Sequence, residues 1–562
     1  MSAVRTADDV RQMDFDPVTR VAGALSFQTS VDIDRGQVLD ASALATMFRG
    51  YEVILEGRDP RDAIFVSSRA DGVSGGAHAS ASALACEMAF GIQPPPMGIV
   101  ARNLLSALEC LEDHSVALFT RIGPDFSEPV VRETNPELWE RALQTGASNR
   151  PTHGFELIAD IMTELTNISG KLYMEALRRA RRAREAYVMI GGKYPHPQTP
   201  VPGGISSTID LQDLNVVLLR VTEFFDYAKK VAAVWDDLVE FFFEADPRFR
   251  DVGAGPANFI DLGLWDDPFA YDGTFQTASV WAQQRWSTPG AIVGGRLRTT
   301  DVQQINMGVE EFVDHSFYEN WTSGGPRMRT DPAGNPLSAL HPSNKETIAQ
   351  PGQTDPARKY SWCTAPRWDR QAMETGAPAR LWATALAHKL PHRDFMEPTG
   401  HSLRLAVPRS ALPEMQLEWH APRRWGALER NRAQAYGIAQ AALVAYESVL
   451  LGLDLMRRSG PDRGVFTHYK IPKGLAHGTG LWGSARGYVS HHMTIDDQVI
   501  QSYQILGGST FTMSPRDGSG TPGPCEAAVV ATPLLSTANP ERCIDVLRTI
   551  RSFNPSMTCA TH

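Results

Sequence analysis

Three long stretches, residues 100–120, 154–190 and 209–246, place apolar residues at three- and four-residue spacing over many helical turns. Apolar stripes of that length must be buried against other helices, so the chain has to build a bundle-like core. Further helices are expected at 376–391 and 425–458, with a closing helix at about 540–551. In contrast, "SFQTSVDIDRGQVLD" (26–40) alternates apolar and polar residues around a turn and reads as a β-hairpin. "SALATMFRGYEVIL" then switches to a helical period, and "SASALACEMAFGI" reads as a helix stopped by "QPPP".

Between 247 and 355 the chain is rich in Gly, Pro, Trp and Asp, with strand-like pieces such as "GAIVGGRL". Near the end, "GYVSHHMTIDDQVIQSYQIL" alternates as paired strands do. The expected fold is therefore mainly α with peripheral β, of α+β class, in one domain spanning 1–562. Its parts are an N-terminal hairpin (20–40), a helical core (about 41–246 and 376–458), a peripheral β/loop region (about 247–355) and a mixed C-terminal segment (459–562).

A net charge of −10 and a pI near 5.9 argue against a nucleic-acid partner. The one basic run, "RRARRAR" at Arg178–Arg184, reads as a solvated helix face or a subunit contact. Six cysteines without a C-x-x-C pair make neither a disulfide framework nor a zinc site, which suggests a reducing compartment. There is no apolar leader and no uninterrupted apolar run near the length of a membrane span. A cytoplasmic location is expected, with any membrane association supplied by a partner.

Five ordered motifs carry a family resemblance: "TMFRGYEVILEGRDPRDAIFVSSRADGVSGGAH", "GGKYPHPQTPVPGG", "YSWCTAPRWDRQAMETGAPAR", "YQILGGSTFTMSPRDGSGTPGPCEAA" and "VLRTIRSFNPSMTCATH". Together they resemble the large subunit of a nickel–iron hydrogenase, across nearly the whole chain. That resemblance implies the long-helix large-subunit fold and an iron–sulfur small subunit, in a heterodimer or higher oligomer, with clusters in the partner.

The family holds nickel and iron with two cysteine pairs, from R-x-C-G-x-C-x-x-x-H and D-P-C-x-x-C-x-x-H, because soft thiolates suit nickel and can bridge two metals. Here the first motif carries Asp71 and Ser74 at the cysteine positions and keeps His78; the second carries Ser556 and Cys559. By resemblance Asp71 and Ser556 stand for the terminal nickel ligands, and Ser74 and Cys559 for the bridges. The family's R-V-E-G-H segment reads Arg20-Val21-Ala22-Gly23-Ala24, without its acid or histidine. Asn554 replaces an aspartate, while Arg486 and Asp113 match residues lying over the metals.

The resemblance also implies a magnesium site built from Glu52, the backbone of Ile505 and His562, which would clamp the C-terminal stretch. The usual nickel–iron centre is expected to be absent or altered. Three other readings stay open: a mononuclear metal enzyme using Asp71, His78 and Cys559, a maturation scaffold or regulatory subunit, and H2 chemistry kept by an unfamiliar ligand set. For Cys559 the plain alternative is a small buried hydrophobe, and for His78 a core histidine.

Overall fold

The computed structural model describes residues 10–20, 22–324, 327–350, 359–407, 414–458 and 464–562. Outside them lie Val21 of the Arg20–Ala24 segment, the last residues of the 247–355 region and the start of the 459–562 segment.

The core follows the helical stripes. The 21-residue helix Pro96–Val116 opens on a proline, whose missing N–H is no loss in a first turn. In the 35-residue helix Leu211–Ala245, buried Val217, Val221, Phe224, Phe225, Ala228, Val231 and Ala232 recur at three- and four-residue steps. Its start is capped by Asp210, whose carboxylate accepts from Asp213 N at 2.8 Å. The helix Ala427–Arg457 packs against both of these. By length and composition it is apolar enough to span a membrane, but 72% of its most apolar stretch is buried within the fold.

The stretch 154–190 is two helices, Ile158–Glu164 and Lys171–Gly191, separated where Ile168 takes a φ of 68°. On the second, Arg181 and Arg182 point to solvent and pair with Glu185 and Glu223, so the basic run is a solvated face.

Two segments differ from their sequence pattern. The N-terminal hairpin is a three-stranded antiparallel sheet, Arg11–Phe15, Leu25–Asp32 and Gln37–Ala45. Residues 42–45 extend its last strand, and only Tyr51–Leu55 of "SALATMFRGYEVIL" is helical. Alanines suit helices, but Ala41, Ala43 and Ala45 alternate into the core against Phe27 and Leu25, and that cross-strand burial overrides their propensity. The region around 247–355 is not peripheral: Phe259, Trp265 and Trp281 belong to the main core. Their rings supply apolar area that the helical stripes alone do not.

The last sheet, Ala476–Ser484, Gly487–Asp496 and Val499–Leu506, positions the site. It lies directly on the helix Gly75–Phe90, which is made mostly of Gly, Ala and Ser. A Cβ on Gly480 would fall 1.7 Å from the Ala81 carbonyl oxygen, so no larger residue fits the approach. This contact sets the turn carrying Arg486 and the strand carrying His491 beside the N-terminal motif.

Candidate functional site

The N-terminal motif lies at the start of the helix Gly75–Phe90 and the C-terminal one in the loop and short helix Met557–Ala560. Asp71, Ser74, Ser556 and Cys559 are all fully buried. The Asp71 carboxylate accepts from the Val73 amide at 2.9 Å and from the Thr558 hydroxyl at 2.9 Å. Thr558 Oγ1 lies 3.0 Å from the Ser556 hydroxyl, and the Cys559 sulfur accepts from Ser509 N at 3.2 Å. Arg49 ties the two motifs together, donating to the carbonyls of Arg69, Ala70 and Thr558.

Arg486 forms the roof. Its guanidinium donates to Ser74 Oγ at 3.3 Å, to Asp113 Oδ1 at 3.0 Å and to the Asn554 carbonyl at 2.9 Å. Asp113 also accepts from Arg121 at 2.7 Å and from the Asn554 amide at 3.2 Å. The asparagine is physically apt: it adopts a φ of 51°, and its side chain donates to Asp113 where an aspartate would oppose it.

The electrostatics follow from these contacts. Burial works to raise the Asp113 carboxyl, but Arg486 and Arg121 outweigh it and hold its pKa at about 2. Asp71 is likewise lowered, burial being outweighed chiefly by Arg486. Burial pushes the Cys559 thiol up to about 12, with Asp71 adding to the effect, so near neutrality it is a thiol and not a thiolate.

A pH prediction follows for Asp113. Its folded pKa lies below its ordinary 3.8, so its stabilisation is complete above that value and is lost as pH falls through about 2. At roughly 1.4 kcal/mol per pK unit the contribution is about 2 kcal/mol. Denaturant unfolding should show the stability gap between wild type and Asp113→Asn narrowing as pH falls below that ordinary value.

His78 is tied to the last sheet. Its Nδ1 lies 3.0 Å from His491 Nε2, and His491 Nδ1 lies 2.6 Å from the Tyr503 hydroxyl. Burial lowers the His78 pKa to about 4 and keeps the ring neutral. Among the described residues no three His, Cys, Asp or Glu side chains converge as on a metal ion. The ring bonds His491 and not backbone, and its Nε2 is buried with no hydrogen-bond partner among the described residues.

The family model for nickel-dependent hydrogenases matches residues 49–168 and 158–562. The chain belongs to the nickel-dependent hydrogenase family. This family member is 30% identical over 592 residues to the uptake hydrogenase large subunit of Bradyrhizobium diazoefficiens, covering 97% of this chain and 94% of that one. It is 29% identical over 576 residues to the periplasmic NiFeSe hydrogenase large subunit of Desulfomicrobium baculatum, covering 100% and 96%. The solved actinobacterial-type NiFe-hydrogenase from Ralstonia eutropha H16 superposes with a TM-score of 0.94 at 37% identity, over 98% of this chain and 100% of that one. The cytoplasmic location expected from the sequence gains no support from these relatives, one of which is periplasmic by its name.

In this hydrogenase family member several residues around the site had escaped sequence reasoning. Glu109 sits one helical turn before Asp113 and accepts from the Gly76 and Ala77 amides at 2.7 and 3.3 Å, anchoring the motif helix. Its four-residue spacing from Asp113 was the available signal. Arg121, Thr558 and His491 carried none. At the implied magnesium position, Glu52 accepts from the Ile505 N–H at 2.9 Å, and His562 Nε2 lies 3.2 Å from the Thr510 hydroxyl. Lys345, also missed, reaches Glu52 there at 3.0 Å.

Proposed function

We propose that this chain is the large subunit of a hydrogenase-type complex with an iron–sulfur small subunit, and that its central site does not hold a thiolate-bridged nickel–iron pair or split H2 in the usual way. The observation that carries this reading is the donor set itself: hydroxyls at Ser74 and Ser556 and a carboxylate at Asp71 stand at three of the four thiolate positions, with Asp71 held by Val73 N and Thr558 and Ser74 held by Arg486. Four thiolates would bring four negative charges to two metal cations, whereas here Asp71 alone is anionic among the four and faces a guanidinium. Serine hydroxyls stay protonated near neutrality and are poor ligands for a soft metal. The residues present do not fit the binuclear group. What they do is hold one another: Arg486 joins Ser74 of the first motif to Asn554 of the second and pairs with Asp113.

Pairing with a small subunit is supported by Met47, Val53 and Ile54, large apolar side chains left about half exposed beside the Arg49–Glu52 segment that borders the site. A docked partner would cover them. The chain is read as one unit over 1–562: Gly50 N donates to the His562 carbonyl at 3.1 Å, and one core runs from Ala77 to Leu535.

The test is metal content and activity of the chain purified with its natural partner. The expected result is co-purification of an iron–sulfur protein, nickel far below one per chain, no iron beyond the partner's clusters, and no H2-dependent dye reduction. Stoichiometric nickel with H2 uptake would overturn the altered site. Capture of an assembly factor in place of an iron–sulfur partner would favour the maturation-scaffold reading.

A further inference from the structure

We propose that the ammonium of Lys345 is a built-in cation that takes the role a bound magnesium ion would have between the segments 49–52 and 558–562. Lys345 follows the turn Pro342–Asn344 and is 6% exposed. Its Nζ lies 2.8 Å from Glu311 Oε1 and 3.0 Å from Glu52 Oε1. The two carboxylates come from distant parts of the chain, Glu52 from the short helix Tyr51–Leu55 and Glu311 from the strand Val309–Phe312.

The surroundings suit an ammonium and not a hydrated divalent ion. Magnesium demands near-octahedral oxygen geometry and keeps several of its waters. The partly open space bounded by Glu52, Glu311, Lys345, Ile505, Thr510 and His562 has a volume of about 10 Å³, which is room for about one water. Glu52 Oε1 is shared between Lys345 and the Ile505 N–H, and Glu52 Oε2 accepts from the Thr347 hydroxyl. Glu311 Oε1 accepts from Thr364 as well as Lys345.

Lys345 is the positive charge that lets Glu52 and Glu311 lie buried together, since two neighbouring carboxylates without one would repel each other in a buried pocket. The consequence is a clamp that depends on no metal supply.

The experiment uses the full chain with its partner, dialysed against EDTA and then analysed for magnesium and for thermal unfolding. Wild type should hold no stoichiometric magnesium, and its melting temperature should be the same with EDTA as with added magnesium chloride. Lys345→Ala should melt several degrees lower in EDTA, because two buried carboxylates lose their counter-charge. One magnesium per wild-type chain, or a chelator-dependent fall in the wild-type melting temperature, overturns the proposal. So does a Lys345→Ala chain as stable as wild type in EDTA. If Lys345→Ala does not fold, its loss agrees with the proposal and the wild-type magnesium and chelator results still decide it.

Discussion

Arg486→Met is expected to lower the unfolding free energy by about 3–5 kcal/mol, the usual result of removing one partner from a buried ion pair. Arg486 and Asp113 are each no more than 3% exposed and 3.0 Å apart, so the loss is not screened by solvent. Methionine keeps the volume but offers no donor. Ser74 Oγ and the Asn554 carbonyl lose their contacts to the guanidinium, and Asp113 keeps only Arg121 and the Asn554 amide. Urea unfolding followed by tryptophan fluorescence measures the change. A loss under about 1 kcal/mol, the range of exposed pairs, would show that Arg121 alone neutralises Asp113.

The second large effect concerns metal uptake. Asp71→Cys, Ser74→Cys and Ser556→Cys made together, with Cys559 retained, would place four thiols in the two motifs. Incubated with zinc as a probe, the triple variant should take up one ion per chain, because four-thiolate sites bind zinc with apparent free energies of roughly 10–16 kcal/mol near neutrality. Wild type, with a single thiol among the four positions, should take up none at this site. Native mass spectrometry after dialysis reads the difference. Equal uptake by both chains would mean that zinc binds elsewhere. A folded triple variant without zinc would mean that the loops cannot close on a tetrahedral ion.

The long helices were legible because apolar spacing survives in one dimension: Leu211–Ala245 and Ala427–Arg457 fall within two residues of their expected bounds. The strand Gln37–Ala45 was harder. Its alanines carry no strand preference of their own, and only the pairing Phe27↔Ala43 makes the extended form favourable. The tryptophans of 247–355 read as loop composition because loops and aromatic core packing share Gly, Pro and Trp; burial alone distinguishes them.

The candidate site divides along the same line. Asp71, Ser74, Ser556 and Cys559 could be named from two short motifs, and Asp113 and Arg486 from resemblance. That His78 turns to His491, and that Lys345 stands at 3.0 Å from Glu52, could not. What the chain determined by itself is its local chemistry: which side chains are thiols, hydroxyls or acids, and which stretches carry an apolar stripe. Tertiary structure decided the pairings across hundreds of residues, such as Asp113 with Arg486 and Glu52 with Lys345. Buried charge must find its counter-charge wherever the packed core allows, and packing is a property of the whole chain.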